Sequence, residues 1–252
     1  MVHSSRRYWS KPWAIVDNEK WPGRKAGSYN WYELQDTVSY RTQFKGPKIV
    51  YPEFSQGRKF SVDSSGSYLN NKAFFFEGCD YFLLALLNST VIWFVLQGLS
   101  AAQRGGEWRL ELRRQYIEQL PIPPVPDDQK AELAALAEAA QAAAQKRYAL
   151  QQEIVRRIPD LVSGGAAILT TRLKEWWTLP DFPAFQSEVR KALKADIPLK
   201  ERNEWEGWIA ENRAEIHRLT AEIARIEGKI DAKVYALFDL MPEEIALLEA
   251  NI

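Results

Sequence analysis

The chain has 252 residues, 46% of them hydrophobic and 26% charged, with a formal net charge of zero. This composition excludes wholesale disorder and supplies enough apolar surface for one large core or two small ones. A single cysteine, Cys79, excludes an intrachain disulfide, and two distant histidines, His3 and His217, leave almost no ligands for a zinc site.

The zero net charge hides an asymmetry. Residues 1–125 hold 16 Lys/Arg against 11 Asp/Glu, whereas residues 126–252 hold 17 against 22. A basic half joined to an acidic half hints at a polyanion ligand for the first. The ten tryptophans are expected mainly in the core. Residues 1–20 have no signal-peptide core, and with the low cysteine content a cytoplasmic protein is expected.

Residues 1–30 mix Trp, Tyr, Arg and Gly without periodicity and read as an irregular lead-in. The runs "KIVYPEF" and "KAFFFEG" are β-rich and separated by the turn-formers of "SQGRK", "DSSGSY" and "NN". "CDYFLLALLNSTVIWFVLQGLS" (79–100) predicts one helix, with Leu83, Leu84, Leu87, Val91 and Val95 at helical spacing and Gly98 as terminator. Its apolar stretch is too short for a membrane span and contains Asn88, Ser89 and Thr90, so a buried helix is expected. After a Gly105–Gly106 loop, "EWRLEL" alternates Trp108, Leu110 and Leu112 with Glu107, Arg109 and Glu111, as a half-buried strand does. "RRQYIEQL" predicts a short helix, and the prolines of "PIPPVP" end it stiffly.

The second half is helical. Asp127 and Asp128 are N-cap candidates for a long helix whose apolar residues are Leu133, Leu136, Ala140, Ala143, Leu150 and Ile154. A second long helix has Ile209, Ile216, Leu219, Ile223, Ile226, Ile230 and Leu237 in heptad rhythm. Residues 159–202 between them should hold further helices, with Trp176, Trp177, Phe182 and Phe185 capping the bundle. The expected architecture is α+β: a small β-containing domain over residues 1–126, then a long antiparallel, coiled-coil-like helical arm over 127–252. A homodimer through the arm is an alternative pairing of the same stripes.

Nucleotide-binding and hydrolase motifs are missing from the sequence. Asp181 with Glu188 and Arg190 has a nuclease-like spacing, but Arg cannot replace the lysine such sites use, and the stretch reads as helix. The basic half instead offers loop side chains of the types that contact nucleic acid: Lys45, Lys48, Tyr51, Gln56, Arg58, Lys59, Asn70, Asn71, Lys72, Gln103 and Arg104. Arg suits guanine edges and Asn or Gln adenine edges, while lysines position phosphates. Gln56, Arg58, Asn71 and Arg104 are expected to discriminate bases, and Lys45, Lys48, Lys59 and Lys72 to hold the backbone, with a place within a strand as the alternative for Lys48. By composition alone the same residues fit ordinary solvated turns better than a nucleic-acid surface.

The order "WYELQDTVSYRTQFKGPKIVYPEF", "FSVDSSGSYLNNKAFFFEG", "YFLLALLNSTVIWFVLQGLS" and "RGGEWRLELRRQYIEQLPIP" resembles the target-recognition domain of Taq-type adenine-specific DNA methyltransferases and type IIG restriction-modification enzymes. The resemblance covers about residues 29–126, and the tail resembles the helical C-terminal ends of those enzymes. It implies a phage-defence or modification enzyme's specificity module, non-catalytic by itself, that contacts the major groove of double-stranded DNA while an adenine is flipped elsewhere. The family's N-P-P-[YF] motif and its glycine-rich S-adenosylmethionine site do not occur here, so the resemblance places the cofactor and the chemistry in a methyltransferase domain or subunit. The competing expectation is a helical interaction or structural subunit that reads no DNA.

Overall fold

The computed structural model describes residues 39–100, 102–103, 109–161 and 168–251, and the fold is α+β. A 3-10 helix, Ser39–Lys45, leads into β1 (Lys48–Pro52), β2 (Phe54–Ser55), β3 (Ser61–Asp63) and β4 (Ala73–Glu77). Helices α1 (Tyr81–Leu87) and α2 (Thr90–Leu99) follow, then β5 (Ala102–Gln103), β6 (Arg109–Glu111) and the short α3 (Arg114–Ile117). The arm consists of α4 (Asp127–Arg157), α5 (Thr171–Lys174), α6 (Phe182–Leu193), α7 (Arg202–Leu237) and α8 (Pro242–Glu249).

The strands form two small antiparallel sheets, ordered β3-β1-β4 and β2-β6-β5. Alternation along β1 sorts its side chains between two faces. Ile49 and Tyr51 share one with Phe74, Phe76 and Val62, their register partners or near neighbours, and this face joins the main core. Lys48 and Val50 share the other with Phe75 and Asp63. The 3-10 helix and the 64–72 crossover lie over that second face, since the Phe44 ring sits 4.9 Å from Phe75 and 5.0 Å from Tyr68. Gly66, at φ +75°, lets the crossover turn beneath the Phe44 and Lys45 backbone.

This cover buries Lys48 completely. Its ammonium donates to the Phe44 carbonyl at 2.9 Å and pairs with Asp63 at 2.7 Å. Lys48 therefore holds the sheet's cover in place and does not meet a phosphate, because its charge is already spent inside.

The single helix expected over 79–100 is broken. α1 and α2 meet at an angle of 62° around Asn88 and Ser89. Ser89 caps α2, accepting from the Ile92 amide at 3.3 Å and donating to the Leu86 carbonyl at 2.7 Å. Gly98 lies within α2 and does not terminate it. Among the described residues no single helix is long and apolar enough to cross a membrane, and Leu86, Leu87, Ile92 and Leu96 at this bend are buried.

The 31-residue α4 and 36-residue α7 pair side by side within one chain. Lys146 meets Glu215 and Lys233 meets Glu132, both at 2.7 Å, so the helices run antiparallel. Ile209, Asn212, Ile216, Leu219, Ile223, Ile226 and Ile230 are buried along α7 in steps of three and four. These stripes serve intrachain packing and are not left over for a second copy. Asp127 and Asp128 sit in the first turn of α4, where the free amides favour carboxylates, and Pro126 takes the capping position instead.

One apolar cluster runs across the junction at residue 126. It joins Leu86, Ile92, Leu110 and Leu112 to Leu133 and Ala137 of α4, Ile226, Ile230 and Val234 of α7, and Leu248 of α8. A second cluster closes the far end, where Trp176 and Phe185 are buried with Trp177, Phe182, Trp205 and Trp208 packed around them. There Asp181 caps α6 by accepting from the Ala184 amide at 2.8 Å, and Glu188 pairs with Arg172 at 2.9 Å.

Lys48→Ala is expected to cost about 3 kcal/mol by stranding Asp63 and the Phe44 carbonyl. A lowered urea midpoint would show it, and Lys48→Met with Asp63→Asn should recover much of the loss. Burial would raise the Asp63 carboxyl, but hydrogen bonds from Lys48 and Ser65 and the Lys48 charge outweigh it and hold it at about 2. Its contribution is therefore present above its ordinary value of about 3.9 and lost as pH falls toward 2. The stability gap between the wild type and Asp63→Asn should narrow over that interval in acid-denaturation curves.

Candidate functional site

The loop residues singled out in the sequence divide into a buried set, a set engaged by the arm and an exposed set. Lys48 belongs to the interior, as described. Tyr51 does too: it is 4% exposed, and its ring lies 5.2 Å from both Phe60 and Phe76. Burial pushes its phenol up to about 12, with Arg114 opposing and Glu118 adding to the shift. It is a core residue, placed there by the alternation that puts Ile49 and Tyr51 on one face.

Arg58 is engaged by the arm. Its guanidinium Nη1 donates to Asp231 Oδ2 of α7 at 2.9 Å and to Thr90 Oγ1 of α2 at 3.0 Å. The expectation that Arg58 reads a base is corrected by this arrangement, because Nη1 donates inward to both partners and Asp231 neutralises the guanidinium, which holds the side chain against the helices. Asp231 also accepts from the Thr90 amide at 2.7 Å and the Thr90 hydroxyl at 2.9 Å. A carboxylate at the start of α2 satisfies amides that the helix leaves free.

The segment after Arg58 is held in the same direction. Asn88 accepts from the Phe60 amide at 3.1 Å and donates to the Phe60 carbonyl at 2.9 Å. Gln141 of α4 treats Val62 in the same way, at 3.2 Å and 3.4 Å. Residues 60 and 62 thus meet side-chain amides where a further strand would have paired. Beside these contacts lies a cavity of about 380 Å³, lined in part by Arg58, Ala85, Gln141, Arg147, Tyr148 and Glu227. Burial raises the Glu227 carboxyl, with Arg58 opposing.

The remaining described candidates are exposed. Lys45 ends the 3-10 helix above the crossover, and Asn70, Asn71 and Lys72 form the turn into β4. Asn70 Oδ1 accepts from the Lys72 amide at 2.9 Å, which fixes the turn, while Asn71 projects from it exposed. Lys72 pairs with Glu53 at 2.9 Å, an exposed contact that solvent screens. Gln56 and Lys59 are exposed on the turn between β2 and β3. Gln103 lies in β5 opposite Arg109 of β6. The Gln103 side chain, Arg104 and Trp108 lie outside the described residues.

Other members of this surface lie outside the set of loop residues expected from the sequence. Arg41 and Arg109 are exposed and, like Lys45 and Lys59, form no ion pair among the described residues. Tyr68 is 66% exposed on the crossover, with one side of its ring against Phe44. An aromatic residue inside a Ser- and Asn-rich loop was the available signal. Asp231 and Gln141 gave no local signal, since each sits on a helix that reads as polar on that face.

Residues 6–122 match the family model of the TaqI-like C-terminal specificity domain, and residues 126–234 match a model described as a domain of unknown function (DUF8810). No curated protein and no solved structure gives a significant match.

Asn88→Ala is expected to cost about 2 kcal/mol by leaving the Phe60 amide and carbonyl unpaired in the interior. Thermal denaturation would read the loss, and faster hydrogen exchange at Phe60 would locate it.

Proposed function

We propose that this chain, whose residues 6–122 match the model of the TaqI-like C-terminal specificity domain, is the DNA sequence-recognition module of an adenine-specific DNA methyltransferase or restriction-modification system. The family match carries the reading. Methyl transfer, with S-adenosylmethionine as donor, belongs to a methyltransferase domain or subunit that works with it, and the setting is cytoplasmic phage defence. The chain itself selects the site and performs no catalysis.

The exposed surface supports two kinds of contact. Arg41, Lys45, Lys59 and Arg109 are cations without an internal partner among the described residues, and they attract phosphates. Gln56 and Asn71 are amides on exposed turns, able to pair with the N6 and N7 of adenine. Tyr68 adds an exposed ring that can lie against a sugar or base. Phosphate contacts supply affinity and register, and the amides supply discrimination.

Fluorescence anisotropy with the full chain and a labelled duplex tests this directly. Binding should weaken as salt rises, with a linear log–log dependence. Lys45→Gln with Lys59→Gln should weaken all duplex sequences alike and shallow the slope by about two. Asn71→Ala should change sequence preference and leave the slope alone. Duplex binding that is absent at low salt would overturn the reading.

A further inference from the structure

The extended segment from Arg58 to Val62 alternates in what it faces. Arg58, Phe60 and Val62 each bond a side chain of the helices: Asp231, Asn88 and Gln141. Ser61, between them, pairs with Val50 of β1, and Lys59 is exposed. On the other side of the turn, Ser55 is buried and its hydroxyl donates to the Gly57 carbonyl at 2.6 Å. The turn carrying Gln56 and Lys59 is thus held at both ends, and the arm does part of the holding.

Asp231 is the centre of this latch. Its two oxygens receive the Arg58 guanidinium, the Thr90 amide and the Thr90 hydroxyl. Both partners of the ion pair are largely shielded, with side-chain exposures of 25% and 14%. Several directional bonds to one carboxylate fix its geometry far more closely than a single surface ion pair would.

We propose that Arg58, Asp231 and Gln141 are positioning residues for sequence discrimination: they make the Gln56–Lys59 turn a rigid extension of the helical arm, so that the arm sets where the turn meets a base edge. The inference rests on the DNA-recognition reading above. Base-edge hydrogen bonds demand close placement, whereas attraction to phosphates tolerates displacement. Cutting the latch should therefore cost selectivity and spare affinity. It should also release the Arg58 charge, which Asp231 otherwise neutralises.

The test compares the full-length wild type with Asp231→Asn, Arg58→Ala and Gln141→Ala. Each is used to select from a randomised duplex library, and each is titrated with bulk random duplex over a range of salt. The wild type should enrich a motif, and all three variants should lose preference at the same positions. Asp231→Asn should bind random duplex within about twofold of the wild type or more tightly, with a salt slope steeper by up to about one. A merely destabilised protein would bind random duplex more weakly, so weakening in step with motif loss in both Asp231→Asn and Gln141→Ala would overturn the proposal. Motif positions lost by Arg58→Ala and kept by Asp231→Asn would also overturn it, because Arg58 would then read DNA itself. A wild type that binds duplex without enriching any motif overturns this inference and leaves DNA binding intact. A wild type that binds no duplex overturns the proposed function as well.

Discussion

The free edge of β3 is the constraint on which much of this structure depends. Phe60 and Val62 are 5% and 6% exposed, so backbone groups beside them lose water on folding and need partners from the protein. β3 has β1 on one side only. Asn88 and Gln141 fill the other side, each supplying a donor and an acceptor as a strand residue would. These amides come from the end of α1 and the middle of α4, so the sheet cannot part from the helices without stranding its own edge.

The break between α1 and α2 follows from the same demand. An unbroken helix would direct the Asn88 carboxamide along its own turn. With the bend at 62°, Asn88 reaches Phe60, Ser89 caps α2, and the start of α2 turns toward Asp231. α7 then serves two purposes. Its apolar stripe packs against α4 and the main core, while Asp231, one step from Ile230, supplies the polar contact to α2 and Arg58. The arm is consequently part of the core that supports the front half and more than a spacer attached to it.

Local patterns in the sequence were legible where the physics is local. "KIVYPEF" and "KAFFFEG" become β1 and β4, the residues of "RRQYIEQL" form α3, and the three-four stripe of α7 is buried almost as spaced. Trp176 and Phe185 close the far end of the bundle as their bulk and position implied. The corrections at the candidate site residues involve contacts made across the fold. Lys48, a phosphate contact or a strand residue by sequence, is a strand residue whose charge meets Asp63 across the β1–β3 register. Arg58 looked like a base reader, and its acceptor lies 173 positions away. Tyr51 followed a correct strand assignment onto the wrong face, because alternation gives two faces and does not say which is dry.

Charge counting shows the same dependence on pairing. The front half has more cations than anions, yet Lys48, Arg58, Lys72, Arg113 and Arg114 are each matched with a carboxylate. For Arg58 that carboxylate comes from the acidic half, so part of the asymmetry between the halves cancels within the fold. The field that an approaching polyanion meets comes from the residue of this cancellation: among the described residues, Arg41 and Lys45 of the 3-10 helix, Lys59 of the turn, and Arg109 of β6. The totals reveal the sign of the surface. Which cations project that sign is decided by the strand register and by where α7 places Asp231.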